Sequence, residues 1–297
     1  MLLKSQTFNN FSFKLIFFST ISCLILSFFI SQFVQNLIVF SGILSFGIIH
    51  GANDLLLLKK NLNTNKDSII SLLIPYLIMV FSFGIFFYLI PSLALIFFVL
   101  FSSYHFGEQQ WTMFSEKKQN NLGFFYFTYG LFLFSFLFWS NNSFVSEIIY
   151  DITAINIDVV IYDYLLYSST LGLIFLGIIN FKSLSDQLIV QSFLLVLLSV
   201  IFYNSNLLLA FGIYFVFWHS IPSIIEQSDY IYGYSNLKSF INYLKSALIY
   251  WIISLFGLLV LYSLLKDYQS LLLSIFFSFL AAITFPHTLV IFKIKKN

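Results

Sequence analysis

The strongest constraint on this chain is the recurrence of apolar, nearly uncharged runs of about 20 residues, the length at which a helix crosses the hydrocarbon layer of a bilayer. With 60% of its 297 residues hydrophobic and only 9% charged, the chain repeats such runs from end to end. In hydrocarbon every backbone N–H and C=O must be bonded inside the segment, so runs of this kind dictate helices. The expected fold is all-α, a polytopic transmembrane helical bundle forming a single integral membrane domain over residues 1–297. About ten helices are predicted, near residues 13–33, 37–58, 69–90, 92–111, 123–140, 159–181, 186–204, 206–227, 247–265 and 270–292.

The basic residues are all lysine, and they give an orientation independent of hydropathy. On this scheme Lys4, Lys14, Lys59, Lys60, Lys66, Lys117, Lys118, Lys182, Lys238, Lys245, Lys293, Lys295 and Lys296 fall on one side and only Lys266 on the other. The bias places both termini in the cytoplasm and implies a multi-pass protein of the cell's inner (plasma) membrane. Between Ser228 and Ser246, the apolar Leu237, Phe240, Ile241 and Leu244 recur at helical spacing opposite Lys238, Asn242 and Lys245. This predicts a short amphipathic helix on the cytoplasmic surface. A second short helix could lie within Asn141–Ile157.

Composition excludes several classes. A net charge of +2 without a basic patch argues against nucleic acid. The single Cys23 excludes an internal disulfide and a thiolate metal cluster. The first apolar run is too long for a signal-peptide core and is read as a retained helix.

The chain has four histidines, and each falls in a predicted span: His50, His105, His219 and His287. In the lysine topology all four lie in the cytoplasmic halves of their helices, hence at a similar depth. Ionisable groups inside a membrane are costly and mark functional sites by default. Each histidine also keeps polar company. Asp54 follows His50 by one turn, across Gly51. Glu108 follows His105 in Tyr104-His105-Phe106-Gly107-Glu108, and Ser223 and Glu226 continue the face of His219. Pro222 and Pro286 each remove a helix hydrogen bond beside an imidazole.

A single histidine of this kind most simply bonds a neighbouring helix; four at one depth suit a shared metal, since neutral imidazoles bind iron, zinc or copper. Asp54 and Glu108 are then expected to orient the rings as second-shell acceptors. Iron would leave open positions for dioxygen beside an organic substrate, whereas zinc would more often be closed and structural. Phe46, Tyr104, Phe106, Phe215 and Trp218 are available to line an apolar tunnel, although ordinary helix packing explains aromatics equally well.

Taken together, His50-Gly51-x-x-Asp54, His105-Phe106-Gly107-Glu108, Trp218-His219-Ser220 and Pro286-His287 resemble, in order and wide spacing, the Brp/Blh family of membrane-embedded β-carotene 15,15'-dioxygenases. The resemblance implies O2-dependent cleavage of the central double bond of β-carotene to two all-trans-retinal at a non-haem Fe(II) centre. It would make His50, His105, His219 and His287 the iron ligands and retinal a supply for a microbial rhodopsin. Some members carry a further histidine one turn after the position of His219, where this chain has Ser223. Either His287 completes the set, or three histidines and a water do.

The rival from another class is a transporter or proton-translocating protein with a histidine-lined polar path. Such a path calls for ionisable groups at several depths, and the outer halves of these helices are almost free of them.

Overall fold

The computed structural model describes residues 10–62, 69–114, 122–233, 236–265 and 272–296. Lys4, Lys66, Lys117, Lys118 and Lys266 lie outside the described residues, so the lysine topology is seen only in part. Among the described residues every element is helical: α1 (Asn10–Ser27), α2 (Gln32–Asn61), α3 (Ile69–Leu89), α4 (Pro91–Thr112), α5 (Gly123–Ser140), α6 (Asn142–Thr153), α7 (Val160–Ile179), α8 (Phe181–Asn204), α9 (Leu207–Tyr232), α10 (Leu237–Leu265) and α11 (Leu272–Lys296). The chain is a polytopic helical bundle and a membrane protein.

Eight of these helices, α2, α3, α5 and α7 to α11, are long and apolar enough to cross a membrane. The other two predicted spans differ for physical reasons. The apolar stretch of α1 is short, because the chain turns at Phe28 and Phe29, and Gln35 Nε2 donates to the carbonyls of Ser27 (2.8 Å) and Ile30 (3.1 Å) beyond the helix end. Helix α4 has the length, but its second half is polar and buried, with Ser102, Ser103, His105, Gln109 and Gln110 turned inward.

The amphipathic surface helix expected between Ser228 and Ser246 is corrected by the structure. Helix α9 runs on to Tyr232 and stops at Gly233, whose φ of +82° favours a residue without a side chain. Leu237 then opens α10, a continuous helix of 29 residues. The apolar spacing that suggested a separate helix is the first part of a span. The second short helix does form, as α6, and ends at Ala154 in the left-handed region.

Without a hydrophobic force between helices in lipid, what selects neighbours is close packing and polar contact. Helix α9 lies at the centre, with Trp218, Ile224, Ala210 and Ser220 almost fully buried, while α3, α7 and α10 present large apolar side chains outward. Helices α4 and α5 cross with their backbones touching. A Cβ at Gly107 would collide with the Tyr126 carbonyl, and one at Gly130 with the Ser103 carbonyl. This pair of glycines sets the depth of α4, and with it His105.

Candidate functional site: four imidazoles at one depth

Two of the helices that carry histidines are irregular where the imidazole sits. Helix α2 widens into a π-helical turn over Ile43–Gly47, resumes, then breaks at Asn53 (φ −97°, ψ 16°) between His50 and Asp54. Helix α9 is π-helical over Tyr214–Ser220, up to Ile221 and Pro222. Such turns are rare and concentrate at functional sites, because the extra residue per turn re-aims side chains and releases carbonyls. Carbonyls beside the π turns and the Asn53 break find side-chain partners. The Tyr243 hydroxyl lies 2.9 Å from the His50 carbonyl and 2.7 Å from Gln227 Oε1, and Gln109 Nε2 donates to the His219 carbonyl at 2.9 Å. Asn53 Nδ2 closes the loop by donating to the Tyr243 carbonyl at 2.9 Å. In α11 the helix runs through Pro286, and His287 follows directly.

The four rings meet. Centroid separations are 4.7 Å for His50–His287, 5.0 Å for His50–His219, 5.0 Å for His105–His219 and 5.5 Å for His105–His287. Each neighbouring pair stands edge-on, with interplanar angles of 81° to 86°. All four residues are buried, and each leaves one ring nitrogen without a hydrogen-bond partner: Nδ1 of His50 and Nε2 of His105, His219 and His287. A buried polar atom left alone is expensive, and four on rings this close together call for an explanation. As the side chains stand, no three or more His, Cys, Asp or Glu among the described residues already form a metal cage.

The two carboxylates part company. Asp54 Oδ1 lies 2.8 Å from His287 Nδ1, and its Oδ2 accepts from the Tyr76 hydroxyl at 2.9 Å. The pairing fixes the His287 tautomer, since Nδ1–H donates and Nε2 is left facing the cluster. Glu108, also expected to orient a ring, instead pairs with Lys295 Nζ at 3.3 Å and accepts from the Tyr104 hydroxyl at 3.3 Å. Ser223 accepts from Gln227 Nε2 at 2.7 Å.

The five aromatics divide as well. Phe215 stacks along His219 (5.5 Å, 18°) and stands edge-on to His50 (5.6 Å), while Phe106 lies 4.1 Å from His219. Both face apolar cavities. Trp218 does not. Its Nε1 donates to Thr20 Oγ1 at 3.1 Å and its ring meets Phe13 of α1, so it anchors α1. Phe46 packs in the core and Tyr104 serves Glu108, and neither lines the cavities beside the cluster. Tyr76, Tyr243, Gln109 and Lys295 had drawn no role from the sequence. Gln109 stands in the polar tail of α4, where its neighbours gave a usable signal; nothing local marks the two tyrosines.

Two cavities reach the cluster. One, of about 100 Å³, runs among α3, α4, α5, α6, α9 and α11 and meets the cluster through Phe106 and Phe215, with no histidine in its wall. The other, of about 290 Å³, runs between α2, α3, α9, α10 and α11 and is lined by His50, Asp54 and His287. Both are lined overwhelmingly by apolar side chains, as a site for a lipid-soluble molecule requires.

No curated protein and no solved structure matches the chain. The family model BCD, beta-carotene 15,15'-dioxygenase, matches residues 41–295, a range that holds the four histidines, both carboxylates and the walls of both cavities. A match over that much of its length, on a bundle that gathers those residues, means that the chain belongs to the beta-carotene 15,15'-dioxygenase family.

Proposed function

We propose that this protein cleaves the central 15,15' double bond of β-carotene with O2, giving two all-trans-retinal, at an iron(II) ion held by His50, His105, His219 and His287 in the cell's inner (plasma) membrane. The observation that carries the reading is the ring of four buried imidazoles, each with a nitrogen no other group satisfies. Neutral nitrogen donors without a thiolate suit iron, zinc or copper among the metals proteins use. Nδ1 of His50 and Nε2 of His105, His219 and His287 are the nitrogens that would hold one ion. When bound, iron(II) supplies the oxygen chemistry that converts one alkene and one dioxygen into two carbonyls.

The chain's own part is binding, orientation and exclusion. Asp54 sets the His287 tautomer and supplies negative charge beside an otherwise neutral ligand set, and Tyr76 holds Asp54 in turn. Tyr243 and Gln109 fasten the backbone at His50 and His219. The apolar cavity walls keep water from the reacting bond and accept a hydrocarbon polyene directly from the bilayer. The cleavage moves no proton, so the step calls for no general acid or base. Retinal leaves as a lipid-soluble aldehyde, suited to a retinal-binding rhodopsin in the same membrane.

Expression in a β-carotene-producing host tests the reading: orange colour should fade and retinal appear, and an iron chelator should prevent both. His50→Ala should abolish retinal formation while the protein stays in the membrane. Undiminished cleavage by that variant rejects His50 as a ligand.

A further inference from the structure

We infer that Phe215, Leu280 and Thr284 form a waist that selects which bond is cut, by dividing a long polyene between two chambers. This rests on the carotene-cleavage reading and adds to it where each half of the substrate lies. The two cavities share three lining residues, and these are Phe215, Leu280 and Thr284. Residues that face both chambers stand at the junction between them. Phe215 is also the side chain that touches the imidazoles, along His219 and against the edge of His50. Phe215 therefore brings the boundary between the chambers against the imidazoles.

The chambers are unequal, about 100 and 290 Å³, the larger being the one lined by His50 and His287. A molecule with two equal halves, one in each, has its middle bond at the waist. One that enters a single chamber presents an end instead. The ring of Phe215 holds its place only because residue 47 is glycine. A Cβ there would lie 2.6 Å from Phe215 Cε1, so α2 and α9 set the waist together.

The test uses the full-length protein with iron(II) and two substrates: β-carotene, and a carotenoid that keeps one ring end and the central bond but is truncated just past it. Ile148→Trp fills the chamber that carries no histidine, away from the cluster. Retinal from β-carotene should fall by about tenfold or more, while the truncated substrate keeps most of its wild-type rate. Phe215→Ala opens the waist and should divert product from retinal to pairs of aldehydes of unequal length. Retinal as the sole product of Phe215→Ala overturns the proposal. So does an equal loss on both substrates in an Ile148→Trp protein that melts like the wild type. Absence of retinal from the wild-type protein would instead remove the cleavage reading itself.

Discussion

Asp54 and Glu108 begin with the same credentials and end in different environments. Each follows a histidine by about one helical turn, and each has one cationic or imidazole partner and one tyrosine hydroxyl. Asp54 sits inside, with its side chain and that of His287 both 2% exposed and 2.8 Å apart. Glu108 sits nearer the edge, with Lys295 16% and itself 12% exposed, 3.3 Å apart. A carboxylate in the first setting has no water to fall back on and must orient the ring it touches. One in the second can exchange its partner for solvent at modest cost. The difference separates a residue that acts on the cluster from one that ties α4 to α11 beside it.

The largest effect expected from breaking this contrast is at Asp54. Asn keeps the shape but removes the charge, and it can offer His287 an amide N–H where a carboxylate oxygen accepted. Loss of such an outer partner lowers metal affinity or activity by roughly 10- to 100-fold. Asp54→Asn should therefore bring down both retained iron and retinal yield, measured on the same purified sample. An Asp54→Asn protein with wild-type iron content would show that the pair is packing alone.

Next comes Tyr76→Phe, which leaves Asp54 on His287 but removes the donor to its other oxygen. One hydrogen bond to a buried charged group is worth about 1.5–3 kcal/mol, so stability should fall within that range while retinal formation drops less than in Asp54→Asn. Thermal melting in detergent, read beside turnover, separates the two. A Tyr76→Phe loss equal to that of Asp54→Asn would mean that the tyrosine itself works at the site.

What could be read from the sequence follows from which forces act locally. Spans are legible because hydrocarbon demands them residue by residue, and four histidines stand out because so few polar groups are spared for lipid depth. The partner of Asp54 is not legible. It lies 233 residues away on α11, and His50, its neighbour along the chain, is not the ring it bonds. The Asn53 break explains why, since it turns Asp54 off the regular face on which His50 stands. The π turns in α2 and α9 are hydrogen-bonding patterns without a compositional signature. The aromatics show the same limit at shorter range. Phe215 is four residues before His219 and stacks along it, while Trp218, adjacent in sequence, is turned aside and points at α1.

The smallest effect should come from the pair at the edge, and it is the sharpest check on the contrast. Glu108→Gln, Lys295→Met and the double variant form a cycle in which the interaction is isolated from what each side chain does alone. For a partly exposed pair the coupling should be about 1 kcal/mol, with retinal yield changing less than threefold and iron content unchanged. Lys295 complicates the matter usefully, because its Nζ also lies 3.3 Å from Thr112 Oγ1 and it shares a small cavity with His105 and Glu226. If the ammonium mattered to the imidazoles, Lys295→Met would change iron content where Glu108→Gln did not. A coupling of several kcal/mol, or iron lost from either single variant, would move this pair into the same class as Asp54 and His287 and dissolve the distinction drawn between the two carboxylates.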